Sequence, residues 1–320
     1  MFRIGILGAA DIAFNKFIPA LMKVEGVECA GVASNSPDKL KRFVEKYNVH
    51  VYSSYNEVIG DDSVDCVYIP LPPAFHYEWA KKALLAGKHV FLEKPSTTSA
   101  DDTKELVGIA GEKGLVVQEN YMFQFHAQLK EIENLIASGE LGKLRLVRTS
   151  FGFPRRAEGD FRYVKELGGG TMMDNGGYTI KLIDMLLGES MRLVSSQLDY
   201  DEKTGIDIFG TAEFVNDDGV IAQAAFGMDC QYQCSLELWG SRGRLTTGRI
   251  YTAPDGFKPV ALVETGAGSR NVELPSCDAF EESIKMYLRA VEDERLRESM
   301  AHELVRQAEF VDDVRGMDRK

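Results

Sequence analysis

Five short apolar, β-branched runs at residues 3–7, 27–33, 64–69, 89–92 and 115–118 alternate with amphipathic stretches at residues 12–24, 38–47, 76–86 and 100–113. This alternation constrains the fold tightly. Each strand needs cover on both faces, and the stretches between them supply helices with one apolar side. The expected class is therefore α/β with a doubly wound parallel sheet. Ligands on such sheets bind beyond the carboxyl ends of the strands. Gly87 is the expected C-cap of the third helix.

Beyond residue 120 the pattern changes. A helix is expected over residues 127–137, a strand near 144–151 and, after a loop, a helix over 171–187. Alternating runs then fill residues 192–274, with turns at Asn216-Asp217-Asp218-Gly219 and Pro254-Asp255-Gly256, predicting an antiparallel meander in an open sheet. Two acidic amphipathic helices over 277–294 and 299–314 follow. A chain of 320 residues exceeds one ordinary core, and the change of pattern divides it into a domain over 1–120 and an α+β domain over 121–320.

Composition removes several classes of function. With 49 acidic against 37 basic residues the net charge is −12, which repels nucleic acid and anionic lipid. No apolar stretch approaches the roughly 20 residues of a membrane span, so a soluble, cytoplasmic protein is expected. Cys29, Cys66, Cys230, Cys234 and Cys277 show no C-x-x-C spacing, and neither a metal nor a redox pair is expected.

At the first strand-helix junction stands Gly5-Ile6-Leu7-Gly8-Ala9-Ala10-Asp11-Ile12-Ala13. It is a variant of the G-x-G-x-x-G/A turn in which Ala10 and Ala13 replace the later glycines. Gly8 turns the chain, the small side chains admit a pyrophosphate, and Ala10, Asp11 and Ile12 lead into the helix that follows, whose N-terminus favours negative charge. At the end of the second strand, Ser34-Asn35-Ser36 carries no carboxylate to bind a ribose 2′-hydroxyl, and Lys39 lies one helical turn on. This set suits a 2′-phosphate, so NADP(H) is preferred, with NAD(H) as the alternative; a polar turn with an N-cap before Pro37 accounts for the same residues. Pro70-Leu71-Pro72-Pro73 with His76 predicts a stiff third wall of the cofactor site, although His76 is equally well read as a locally bonded helix-start residue.

Hydride transfer to a carbonyl needs a proton donor and a positive charge for the developing alkoxide. Lys94, in Glu93-Lys94-Pro95 at the end of the fourth strand, supplies the charge. Asp174 and Tyr178 lie four apart in the helix opened by Gly168-Gly169-Gly170, where they share a face. Tyr178 is the candidate proton donor, with Lys94 lowering its pKa and Asp174 orienting substrate hydroxyls or Lys94; a tyrosine of the interdomain core is the other reading. A phenol of pKa about 10 is protonated at neutral pH and suits ketone reduction. Gly176 and Gly177 each cost a helix about 1 kcal/mol, which suggests that a ligand or backbone passes close by.

These residues carry a resemblance. Gly8-Ala9-Ala10-Asp11-Ile12-Ala13, Glu93-Lys94-Pro95, Leu167-Gly168-Gly169-Gly170, Asp174-x-Gly176-x-Tyr178 and Glu237-Leu238-Trp239-Gly240-Ser241-Arg242-Gly243 resemble the glucose-fructose oxidoreductase / inositol dehydrogenase / MocA family along nearly the whole chain. The resemblance implies an NADP-binding Rossmann domain, with Glu93, Lys94 and Asn120 added to its cofactor residues, and a cis Lys94-Pro95 bond. It also implies a substrate domain whose open sheet forms a homodimer or homotetramer. Tyr178 replaces the family's usual histidine, which is similar to two branches: xylose and dihydrodiol dehydrogenases, and sugar-nucleotide 3-ketoreductases. Pro70-Leu71-Pro72-Pro73-x-x-His76-x-Glu78-Trp79, Glu119-Asn120-Tyr121-x-Phe123-x-x-His126 and Phe161-Arg162-Tyr163 look like the second. The implied reaction is NADPH-dependent reduction of the C3 ketone of a nucleotide-linked 2,6-dideoxy-keto sugar such as a TDP-3,4-diketo hexose. Tyr121, Phe123, His126, Arg162 and Tyr178 would line its site, although the aromatics near Tyr121 are equally well read as interdomain core. Arg155, Arg156 and Arg162 have guanidinium forks suited to a diphosphate, with a solvated loop charge the equal or better reading of Arg155 and Arg156. The rivals are an NADP-dependent dehydrogenase of a free sugar or cyclic trans-diol, and a non-catalytic NADP-binding regulator.

Overall fold

The computed structural model describes residues 1–157 and 159–317. It divides the chain into two compact units, Met1–Asn120 with Phe280–Ala308, and Tyr121–Ala279 with the chain from Glu309 onward.

In the first unit, β1 (Phe2–Leu7), β2 (Val27–Ala33), β3 (Cys66–Ile69), β4 (His89–Leu92) and β5 (Val117–Glu119) form an all-parallel sheet in the order β2-β1-β3-β4-β5. Every residue of β3 is buried, as a central strand covered on both faces requires. The connecting helices are α1 (Ile18–Leu21), α2 (Pro37–Tyr47), α3 (Tyr55–Gly60), α4 (His76–Leu85) and α5 (Ala100–Lys113). Ser54 caps α3 and Ser99 caps α5 by accepting from Glu57 N and Asp102 N. Gly87, at φ 80°, follows the last residues of α4. Where one helix was expected over 12–24, a π-turn at Ala13–Phe17 precedes the single turn of α1. Pro19 has no N–H for the Asn15 carbonyl, so the α-helical ladder cannot run through this point.

The second unit holds α6 (Gln128–Ala137), β6 (Leu144–Gly152), α7 (Gly177–Leu187), β7 (Arg192–Tyr200), β8 (Asp207–Val215), β9 (Ile221–Gly227), β10 (Gln233–Gly240), β11 (Gly243–Gly248), β12 (Val260–Thr265) and β13 (Gly268–Glu273). Its sheet order is β13-β12-β11-β10-β6-β9-β8-β7. The expected meander is therefore interrupted: β6 inserts between β9 and β10 and runs parallel to β9. Alternation in a sequence identifies strands and their buried faces, but it carries no information about which strands become neighbours. One face of the sheet is apolar, with Val147, Ala222, Ala224, Phe226, Leu236, Leu238, Leu245 and Val263 buried in the core.

α8 (Ala279–Glu292) and α9 (Glu294–Met317) close the chain. The change of pattern after residue 120 predicts one domain over 121–320, whereas the structure places Phe280–Ala308 in the first unit. Tyr287 is fully buried there, 4.9 Å from the Phe91 ring and hydrogen-bonded to Cys66 Sγ at 3.0 Å. An amphipathic period shows that a helix face is buried without showing which core it joins. From Glu309 onward, α9 adds Phe310, Val311 and Val314 to the second core. Among the described residues, no helix is long and apolar enough to cross a membrane, and no group of three His, Cys, Asp or Glu side chains could hold a metal.

Candidate active site

The carboxyl end of β1 turns at Gly8, whose φ of 119° favours glycine and whose added Cβ would stand 2.9 Å from Leu71 Cδ2. Gly8 N donates to Ala33 O at 2.8 Å, which fixes the turn against β2. Ala9 and Ala13 are buried, Ala10 and Ile12 half-buried, and Asp11 exposed. This backbone, cleared of side chains, fits a dinucleotide. Beside it lies a further cation outside the expected cofactor residues: Arg42, in α2, pairs with Asp11 at 2.6 Å and donates to Ala9 O at 3.2 Å. Its guanidinium sits 4.6 Å from the Phe14 ring centre, and its buried Nε has no hydrogen-bond partner among the described residues. Arg42 follows Lys39 by three positions on the same helix, and that spacing was the available signal. Ser34 Oγ accepts from Ser36 N at 3.0 Å, while Asn35, Ser36 and Lys39 are exposed.

The wall at Pro70, Leu71 and Pro72 and the loop at Lys94-Pro95 are joined by His76. Its ring is fully buried, with Nδ1 2.7 Å from Pro95 O and Nε2 2.7 Å from Leu71 O. Both ring nitrogens face backbone carbonyls, a neutral imidazole donating to one of them, and His76 lies buried between the two loops. Burial holds its imidazole below the usual histidine range. The Lys94-Pro95 bond is cis. Glu93 Oε1 accepts from Tyr68 Oη at 2.7 Å and from Asn120 Nδ2 at 2.9 Å. Asn120 Oδ1 in turn accepts from Ser283 Oγ at 2.9 Å, and Gln118 Nε2 donates to the same Ser283 Oγ at 2.8 Å. Burial pushes the Glu93 carboxyl above the usual range, against the opposing pull of Asn120, Tyr68 and Lys94.

In the second unit Tyr178 lies in an aromatic box. Its ring centre is 4.9 Å from Tyr121, 5.2 Å from Phe151, 5.6 Å from Phe123 and 5.8 Å from Tyr251, and its Oη donates to Met122 Sδ at 3.8 Å. Four rings restrict the phenol to a narrow range of positions. Tyr251 hydrogen-bonds Thr149 Oγ1 at the far side of the box. Phe151 and Tyr251 had no local signal, since each looks like an ordinary strand-end aromatic. His126 is buried; its Nδ1 accepts from Gln128 N at 3.1 Å, and its Nε2 has no partner among the described residues.

The helix of Tyr178 begins as a π-turn over Met172–Gly176, so Asp174 lies in that turn and Tyr178 in α7. Asp207 Oδ2 accepts from Met172 N at 2.6 Å, and Asn175 Nδ2 reaches Phe151 O at 2.5 Å and Gly227 O at 3.0 Å. These bonds fix the turn to the sheet. The glycine pair in the sequence predicts a nearby ligand or backbone. At Gly176 the close neighbours are side chains, since an added Cβ would meet Met172 Sδ at 2.9 Å and Phe226 at 3.1 Å. Arg162 Nε donates to Asp174 Oδ2 at 2.7 Å and its Nη1 pairs with Asp160 at 3.1 Å. Arg155 is exposed and pairs with Asp229 at 3.2 Å, while Arg156 lies 4.8 Å over the Phe153 ring.

Residues 2–121 match the oxidoreductase family described as having an NAD-binding Rossmann fold, and residues 129–246 match the GFO/IDH/MocA C-terminal domain. A dTDP-3,4-didehydro-2,6-dideoxy-alpha-D-glucose 3-reductase from Actinomadura kijaniata is 36% identical over 98% of this chain and 94% of its own. The enzyme of the same name from Streptomyces violaceoruber is 37% identical over the same shares. The crystal structure of a 3-ketoreductase from Actinomadura kijaniata in complex with NADP and TDP-benzene superposes with a TM-score of 0.95 at 35% identity, covering 99% of this chain and 97% of that one. With its parallel-sheet unit, its open-sheet unit and this agreement along its length, the chain belongs to the Gfo/Idh/MocA family of oxidoreductases.

Proposed function

We propose that this protein is an NADPH-dependent 3-ketoreductase acting on a dTDP-linked 3,4-diketo-2,6-dideoxyhexose. The observation that carries the reading is the overlap along 98% of this chain with two 3-reductases; Tyr178, boxed by four rings, is a phenol that the xylose and dihydrodiol dehydrogenase reading would use equally. The names and near-complete overlap of the two reductases and the TDP-benzene complex support the substrate class. Bound NADPH supplies the hydride to C3. Tyr178 Oη gives its proton to the C3 oxygen as the carbonyl becomes a hydroxyl, and the phenolate regains a proton from water. Lys94 places positive charge at the oxygen while it is anionic. Asp174 orients the sugar. Gly8, Ala10, Asp11 and Ile12 hold the pyrophosphate, Ser34, Asn35, Ser36 and Lys39 the 2′-phosphate, and Pro70, Leu71, Pro72, Glu93 and Asn120 the nicotinamide end. Tyr121, Phe123 and His126 shape the sugar pocket.

The exposed face of the second unit's sheet is the proposed surface for a dimer or tetramer. It presents Trp239 at 55% exposure and the exposed Ile221, which the registers place on either side of Leu146. Cys66 and Cys234, buried as free thiols, fit action in the reducing cytoplasm.

A ligand that binds only the native state raises the thermal midpoint by mass action. The protein saturated with NADP is expected to rise further when TDP is added. A rise with NADP and none with TDP would favour a free-sugar or diol dehydrogenase instead.

A further inference from the structure

We propose that Arg162 is a positioning residue for the reaction: it acts through Asp174, whose carboxylate it aims at the sugar, and is not a ligand of the substrate diphosphate. The proposal rests on the ketoreductase reading above.

Arg162 stands in a single 3₁₀ turn, Phe161–Tyr163, and its guanidinium serves carboxylates on two separate pieces of chain. Nε donates to Asp174 Oδ2 at 2.7 Å, and Nη1 donates to Asp160 Oδ1 at 3.1 Å and Oδ2 at 3.4 Å. The Arg162 and Asp174 side chains are only 20% and 10% exposed, so the pair is held largely out of solvent. The main chain is tied to the same place. Gly170 N donates to Arg162 O at 2.9 Å, and Asp174 N donates to Gly170 O at 3.1 Å. Gly169 admits no side chain there, because an added Cβ would lie 2.5 Å from Arg162 O. The loop that carries Arg162 and the turn that carries Asp174 therefore form one rigid body, joined through side chain and backbone alike.

The alternative role, binding a diphosphate, fits these facts poorly. A phosphate-binding fork works best in a positive surround. Arg162 instead sits between two carboxylates, and its guanidinium stacks over Phe161 at 4.6 Å. One positive charge between two negative ones leaves a net negative site, which repels a diphosphate. Removal of Arg162 would leave Asp160 and Asp174 as neighbouring like charges with nothing between them, and the Asp174 carboxylate would lose its fixed direction. A lysine at this position keeps the charge but cannot serve two carboxylates with one planar fork.

The test compares Arg162→Gln, Arg162→Lys, Asp174→Asn and the double variant R162Q/D174N, each loaded with NADPH. Activity is normalised to the fraction that binds NADPH, so that unfolded protein does not enter the rates. R162Q is expected to lower single-turnover reduction of the dTDP-linked ketone about 10- to 100-fold while leaving TDP affinity within about threefold, and R162K is expected to recover part of the loss. D174N is expected to be slow as well, and adding R162Q to it should cost no more than about threefold further, because residues acting through one another are non-additive. The proposal is overturned if R162Q weakens TDP about tenfold or more in both backgrounds, if the two losses multiply in the double variant, or if D174N turns over at the wild-type rate. Failure of the wild-type protein to reduce the dTDP-linked ketone refutes the ketoreductase reading itself. Wild-type turnover combined with any of the three contrary results refutes only the role of Arg162.

Discussion

Replacing Gly8 by alanine separates two demands that meet at the cofactor turn. The residue has φ 119°, a region that L-residues avoid, and its added Cβ would lie 2.9 Å from Leu71 Cδ2. The backbone component costs about 1–3 kcal/mol. The Leu71 component is smaller, since the atom met is the free end of a flexible side chain, which can swing aside. For a unit of this size, about 2–4 °C per kcal/mol turns the strain into a midpoint fall of roughly 2–12 °C. The new methyl also stands where the turn must present bare backbone to a pyrophosphate, so NADPH affinity is expected to fall at least about tenfold, or roughly 1.4 kcal/mol. Thermal unfolding and NADPH fluorescence titration on Gly8→Ala, Leu71→Ala and the double variant measure both. Leu71→Ala should restore less than half of the Gly8→Ala loss, because it leaves φ unchanged. An unchanged midpoint with affinity within about twofold of wild type would refute the reasoning, and full restoration by Leu71→Ala would refute the assignment to backbone strain.

Glu93→Gln keeps an oxygen to accept from Tyr68 and Asn120. Folding raises the Glu93 pKa, so the protonated form is the one folding favours: that stability is complete below the unfolded value and is lost as pH rises through the folded one. The variant should therefore have a higher midpoint than wild type at pH about 8 and a shrinking advantage towards pH about 5, below which carboxyls of pKa about 4.3 protonate in the unfolded chain as well; an advantage independent of pH would count against it. Tyr178→Phe should keep NADPH affinity and lower single-turnover reduction about 10²–10⁴-fold, the range for one lost proton donor; wild-type rates in that variant would remove Tyr178 from the chemistry. Trp239→Glu, placed on the open face at 55% exposure, should lower the mass in solution seen by light scattering, while a monomeric wild type would refute the oligomer surface.

Legibility in the sequence followed the range of the interaction. The inner strands of the parallel sheet were readable because a strand covered on both faces leaves a continuous apolar run, as Cys66–Ile69 does, whereas the edge strand β5 forms at Val117–Glu119, two residues on from where its expected run began. The turn at Gly8 was readable because its demand for a missing side chain is local. Long-range choices were not. Nothing in the alternation of β6 places it beside β9, and nothing in the period of α8 sends Tyr287 to Phe91. The same limit holds at the candidate site. Lys94, Asp174 and Tyr178 stand in short motifs, whereas Phe151 and Tyr251 reach Tyr178 only once the sheet has formed. Arg162 was noticed as a cation, but its partners Asp160 and Asp174 changed what that cation is suited to do. The glycines before Asp174 had a packing cause: Gly169 lies against Arg162 O, and Asp207 reaches Met172 N from the sheet.

The most direct test of the central claim is reduction of the dTDP-linked 3,4-diketo-2,6-dideoxyhexose by the purified wild-type protein with NADPH carrying deuterium on the transferred position. The account predicts stoichiometric NADPH oxidation and a product bearing one deuterium at C3. Turnover of free sugars or diols with no deuterium appearing in the nucleotide-linked sugar would contradict it.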